Sequence, residues 1–170
     1  LAATGEIAVA GKRSLLLRLI RASQPISRTD IVERLNIDPS TVTENVRPLI
    51  SGGILTEEKS DASRGRRGRL LSFATNRGYF IGLNLGVRRS QVGVTTLNGE
   101  IEDEIDFETP QDPKKALSRA REHIEKLHKV NSHKQLKVIG VSVPGMTDAE
   151  RRNLLYAPNL GWRNVPVVES

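Results

Sequence analysis

The sequence predicts a mixed α/β chain in two parts: a small helical unit closed by a hairpin over residues 1–76, and an α/β lobe over 77–170. Three observations predict it. Apolar residues recur at helical spacing three times before residue 51; two short strand-like runs then flank a stretch of Arg and Gly; and three alternating runs, a helix and a further strand follow from Tyr79. At 170 residues and 37% hydrophobic content the chain suits one ordinary domain or two small ones. Its apolar runs fall far short of the roughly 18 residues that cross a bilayer, and no basic-then-apolar leader pattern opens it, so a soluble cytoplasmic protein without a membrane partner is expected. With no cysteine, disulfides, thiolate zinc sites and Cys nucleophiles within the chain are excluded.

The first helix is predicted from about Gly11 to Ala22, where Leu16, Leu19 and Ile20 form a stripe between Lys12, Arg13, Arg18 and Arg21. Ser23-Gln24-Pro25 ends it. Ser27 then stands as an N-cap with Asp30 three residues on, a variant capping box, and Ile31, Val32 and Leu35 supply the buried face of a second helix. Asn36-Ile37 makes a tight connection, and Asp38-Pro39 opens a third helix, the carboxylate accepting from free N–H groups while Pro fills a position that needs none.

In the third helix Val42, Val46, Leu49 and Ile50 must face a core, which leaves Ser40, Thr41, Thr43, Glu44 and Arg47 outside. Short polar groups near a helix N-terminus let the backbone approach phosphates, and one long cation can donate twice to a guanine edge, so these five are candidate DNA-reading residues. A plain solvated face has the same pattern. Pro48 costs about 3 kcal/mol inside a helix and predicts a kink before the Gly52-Gly53 stop.

Ile54 to Glu57 and Leu70 to Phe73 read as paired strands. Between them four arginines, Arg64, Arg66, Arg67 and Arg69, fall within six positions around Gly65 and Gly68. Such a hairpin alone is a solvated loop; directly after a helix-turn-helix it reads as a wing whose guanidinium groups grip phosphates or enter a minor groove. Charge distribution agrees, since residues 1–80 carry 13 basic and 8 acidic side chains against 13 and 12 in residues 81–170. All six aromatic residues lie after residue 72, so the basic part has no ring on which unpaired bases could stack. Duplex is the expected nucleic acid.

The second part opens with strands over Tyr79 to Leu85, Gln91 to Leu97 and Ile101 to Phe107, the last two joined by Asn98-Gly99 as a two-residue hairpin turn. Asp112-Pro113 starts a helix whose buried stripe is Leu117, Ala120, Ile124 and Leu127, and Lys137 to Val143 makes a further strand ending at Pro144-Gly145. Asp103, Glu104, Asp106 and Glu108 alternate with apolar residues and read as a solvent face. His123, His128 and His133 recur every five residues, about 140° apart on a helix, and read as surface residues. Gly5 to Lys12 fails as a P-loop in spacing, with Arg13 in place of Ser/Thr, and no Gly-x-Ser-x-Gly nucleophile occurs. No catalytic residue, metal or cofactor is expected.

The runs Ile26 to Ile31, Asp38 to Thr43, Gly53-Ile54-Leu55 and Gly65-Arg66-Arg67 together resemble the N-terminal winged helix-turn-helix of ROK-family repressors, the family that includes xylose- and N-acetylglucosamine-responsive regulators. Members usually have Pro after Gly-Arg-Arg; here Gly68 stands there. Ile139 to Gly145 and Tyr156 to Trp162 likewise resemble the first lobe of the actin-like (ribonuclease H-like) sugar-kinase fold of that family. The resemblance implies a DNA-binding regulator, a repressor in most members, with a sugar or sugar-phosphate effector and a homodimeric or higher assembly. It places Gly145 and Asn159 at the sugar cleft as candidate ligand contacts, although Pro-Gly and Pro-Asn are also ordinary turn pairs. It further implies that the catalytic Asn-Asp pair, the Cys-rich zinc loop and the second lobe of relatives would lie beyond Ser170. The alternative is a ROK-family sugar kinase with an accessory DNA-binding domain. Against it, kinases of the family have Asp-x-Gly-Gly-Thr after the first strand, where this chain has Asn84-Leu85-Gly86-Val87-Arg88. Asn is a poor partner for Mg²⁺, and Val87 adds a side chain where phosphate should meet backbone amides.

Overall fold

The computed structural model describes residues 2–59 and 68–168. Its contacts divide the chain into two units, Leu1–Arg77 and Gly78–Ser170.

In the first unit α1 spans Ala2–Ser23, starting well before the apolar stripe does. Four of the nine residues from Ala2 to Ala10 are alanine, the strongest helix former, a signal that periodicity does not report. Leu16 and Ile20 are buried, as their spacing requires. A strand missing from the sequence-based expectation, β1 (Ile26–Ser27), follows and pairs antiparallel with β3 (Arg69–Phe73), which in turn pairs with β2 (Leu55–Lys59). Two residues are too short a run for alternation to reveal.

Helix α2 (Arg28–Leu35) carries the predicted capping box. The Asp30 amide donates to Ser27 Oγ at 3.1 Å, and the Ser27 amide donates to the Asp30 carboxylate at 3.3 Å. Asn36, at φ 49°, ends the helix. Helix α3 (Pro39–Ser51) starts where expected, but the Asp38 side chain makes no capping hydrogen bond. With Pro39 removing one donor, the Asp38 backbone carbonyl accepts from the Val42 amide at 3.2 Å, while the carboxylate stays exposed. The helix continues through Pro48 to Ser51, and the Pro48 carbonyl accepts from the Gly52 amide at 2.9 Å. Gly53 then takes φ 67°, which glycine adopts without a Cβ clash. Leu16, Ile20, Ile31, Val42, Val46, Leu55 and Leu71 form the core of this unit.

The second unit is built on a four-stranded sheet in the order β6-β5-β4-β7. Strands β4 (Gly78–Asn84), β5 (Arg89–Thr96) and β6 (Ile101–Glu108) are antiparallel, and α4 (Pro113–Val130) crosses over to β7 (Gln135–Ser142), which is parallel to β4. Asp112 caps α4 as predicted, accepting from the Lys115 amide at 2.8 Å. Leu117, Ala120 and Leu127 bury the expected stripe together with Ala116, whereas Ile124 is only half-buried. That stripe covers Tyr79, Ile81, Leu83, Val92 and Val94.

The β5–β6 connection differs from the two-residue turn expected at Asn98-Gly99. The Gly99 amide bonds to the Thr96 carbonyl at 2.9 Å, so Leu97 and Asn98 are the central residues, Gly99 follows at φ 88°, and the register shifts at Val94/Thr95. A bulge absorbs the added residue. Beyond β7 a small antiparallel sheet, β8 (Met146–Thr147), β9 (Asn153–Ala157) and β10 (Trp162–Pro166), holds the Tyr156 to Trp162 segment.

Candidate nucleic-acid interface

Helix α3 is amphipathic because Val42 and Val46 are driven into the core, and their burial turns the opposite face outward. Ser40, Glu44 and Arg47, spaced by four and three residues, are exposed there. Thr41 and Thr43 are half-buried at its flanks. Asn45, which the spacing did not assign to either face, is buried; its Nδ2 donates to the Thr41 carbonyl at 2.8 Å, and its Oδ1 has no partner among the described residues.

Thr43 is not a free hydroxyl. Its Oγ1 accepts from Arg28 Nη1 at 3.4 Å, and Arg28 Nε donates to Glu57 Oε1 at 2.7 Å. The other carboxylate oxygen of Glu57 accepts from Arg69 Nη1 at 3.3 Å. One carboxylate, 9% exposed, thus joins the first residue of α2, a threonine of α3 and the root of the β2–β3 hairpin. Burial pushes the Glu57 carboxyl upward, but the hydrogen bonds and charges of Arg28 and then Arg69 outweigh it and hold the group below the ordinary glutamate range. Spacing missed Arg28 and Glu57 as site residues, since they lie 29 positions apart and each reads as an ordinary surface charge.

Of the four hairpin arginines, Arg69 opens β3 opposite Lys59 and keeps a side chain that is 65% exposed despite its ion pair. Arg64, Arg66 and Arg67 lie outside the described residues.

In the second unit Gly145 lines a cleft of about 360 Å³ with Ser142, Thr147, Arg151, Arg152 and Asn153. A Cβ there would come within 2.5 Å of the Tyr156 carbonyl oxygen, so close packing against β9 already requires glycine. Asn159 is exposed in the turn before Gly161 and is not among the residues lining that cleft. The turn after β4 is equally tight: a Cβ on Gly86 would collide with the Arg89 carbonyl oxygen, and the Gly86 amide donates to Ser90 Oγ at 3.3 Å. The amide that would greet a phosphate is already engaged. His128, read as a surface residue, is exposed yet hydrogen-bonds the buried Tyr79.

A helix-turn-helix closed by a hairpin, continuing in sequence into an α/β lobe, defines a two-part class of protein: a winged helix-turn-helix followed by the first lobe of an actin-like sugar-kinase fold. Residues 80–170 match the ROK family and residues 13–64 the MarR family. The chain belongs to the ROK family.

Among its relatives, the xylose repressor of Caldicellulosiruptor bescii is 33% identical over 90% of this chain and 40% of its own length. The xylose repressor of Bacillus subtilis is 29% identical over 93% of this chain and 42% of its own. The Escherichia coli DNA-binding transcriptional dual regulator NagC is 29% identical over 90% and 39%. A crystal structure of a ROK family transcriptional regulator, a homolog of the E. coli MLC protein, shares the fold with a TM-score of 0.70 at 23% identity, covering 92% of this chain and 41% of that one. The chain spans about two fifths of the length of the relatives it matches. Among the described residues no helix is long and apolar enough to cross a membrane.

Proposed function

We propose that this chain is the DNA-binding and proximal effector part of a sequence-specific transcriptional regulator, a repressor of sugar-metabolism genes controlled by a sugar or sugar phosphate. The observation that carries this reading is the exposed face of α3, where Ser40, Glu44 and Arg47 stand opposite the buried Val42 and Val46. Arg47 has the reach to pair with a guanine edge, Glu44 can accept from a cytosine amino group, and Ser40 and Thr41 sit where the helix N-terminus attracts a phosphate. Arg64, Arg66 and Arg67 of the hairpin supply backbone grip. The names of the relatives support the same reading.

The protein acts in the cytoplasm, without catalysis and without a cofactor of its own. A two-fold homodimer would set half-sites one helical turn or a multiple apart, about 34–36 Å per turn. In the second unit Ser142 and Thr147 hydroxyls and the Arg151 cation line the cleft beside Gly145, chemistry suited to a hydroxylated, anionic effector.

Duplexes selected from a randomised pool by the full-length protein test the reading. Arg47→Ala is expected to relax the selected preference, and Arg67→Ala to weaken all duplexes alike and lower the salt slope by about 1. Failure of the wild-type protein to enrich any duplex overturns it.

A further inference from the structure

Arg28 and Glu57 form a bridge between the two elements assigned to DNA, and neither belongs to the face that would touch a base. Arg28 Nη1 reaches Thr43 Oγ1 on α3 at 3.4 Å while its Nε holds Glu57 at 2.7 Å. Glu57 lies on β2, and its second oxygen holds Arg69 at the start of β3, the strand that leaves the hairpin loop. The guanidinium fork is rigid and planar, so engaging two partners fixes its orientation, and a largely buried carboxylate fixes both cations. The arrangement links α3 to the hairpin root through the first residue of α2.

An acid in this position has a cost that a merely decorative residue would not carry. A carboxylate next to a polyanion repels it, so deleting its charge should tighten duplex binding by simple Coulomb attraction. The ion pairs point to the opposite result.

Resting on the DNA-binding reading above, we propose that Arg28 and Glu57 are positioning residues for sequence discrimination: they hold Thr43 and the hairpin root in the geometry that reads a specific duplex, and Arg69 serves as part of this brace and not as a phosphate grip. The brace requires a guanidinium, because an ammonium in place of Arg28 offers no fixed fork with which to span Thr43 and Glu57 together.

The test uses the full-length protein, the duplex best enriched by the wild type, and a scrambled duplex of equal length. Glu57→Gln keeps the volume and removes the charge. It is expected to weaken the enriched duplex about tenfold while binding to the scrambled duplex stays equal or tightens, with the free protein still folded at the temperature of the binding assay. Arg28→Lys is expected to reproduce this loss of discrimination, and Arg69→Ala to leave the salt slope unaltered, where a phosphate-gripping arginine would lower it by about 1. Equal or tighter binding of both duplexes by Glu57→Gln, with discrimination intact, overturns the proposal, as does a salt slope reduced by Arg69→Ala. A wild-type protein that enriches no duplex at all is a separate result, which overturns the DNA-binding reading and this inference with it.

Discussion

The phenolic oxygen of Tyr79 lies 2.6 Å from Nδ1 of His128, joining the start of β4 to the last turn of α4 across 49 positions of sequence. Tyr79 is wholly buried, and a buried hydroxyl without a partner costs about 1–3 kcal/mol. His128→Ala is therefore expected to destabilise the second unit by about that amount. Tyr79→Phe removes the polar group itself and should cost less, and adding His128→Ala to Tyr79→Phe should cost little more. Thermal unfolding of the two single variants and the double variant measures the coupling.

Burial also raises the Tyr79 phenol above its ordinary value of 10.0. Its contribution to stability is intact below that value and lost as pH rises through the higher folded value, because the unfolded chain ionises first. Wild-type protein should lose stability more steeply above pH 10 than Tyr79→Phe does. Parallel alkaline slopes in the two proteins would contradict this.

The reciprocal bonds of Ser27 and Asp30 predict a helix-cap effect. Ser27→Ala leaves the Asp30 amide at the start of α2 without its acceptor and should cost about 0.5–2 kcal/mol. Asp38→Ala should cost less, since its carboxylate makes no bond to the end of α3. The two thermal midpoints, compared side by side, decide it.

The Glu57 carboxyl, held below its ordinary 4.5 by Arg28 and Arg69 against the upward push of burial, makes part of the stability of the first unit acid-sensitive. That part is complete above about pH 4.5 and fades as pH falls through the lower folded value, where protonation releases both arginines. Glu57→Gln lacks the transition, so the stability difference between wild type and variant should shrink on acidification below pH 4.5. Urea titrations between pH 3 and 6 follow it.

At Gly145 the packing predicts a cost without any ligand. A methyl group would press on the Tyr156 carbonyl and on Leu154, so Gly145→Ala should lower the thermal midpoint of the free protein. Asn159→Ala, on an exposed turn, should change stability by less than about 0.5 kcal/mol. Any loss of sugar or sugar-phosphate binding by Asn159→Ala would then report contact and not folding.

Local chemistry was legible in the sequence wherever the structure depends on neighbours within a turn. Ser27 with Asp30, Asp112 with Pro113, and the Val42–Val46 stripe all act over three or four residues, and all read directly as caps and faces. Asp38 misled because the same Asp-Pro pair caps through its side chain at 112 and only through its backbone at 38. The strands β1, β8, β9 and β10 escaped because runs of two to five residues show too little alternation, and their pairing partners lie elsewhere in the chain.

Composition and periodicity by themselves determined that this chain has a basic helical head, an α/β lobe, and an α3 face carrying Ser40, Glu44 and Arg47 away from a core. These follow from burial preferences that each segment satisfies alone. Only the tertiary structure decided that Arg28 spans Thr43 and Glu57, that Asn45 turns inward, that Gly145 is required by β9 and that His128 serves Tyr79. Each of those depends on the close approach of segments distant in sequence, and hydrogen bonds reward that approach over only about 3 Å.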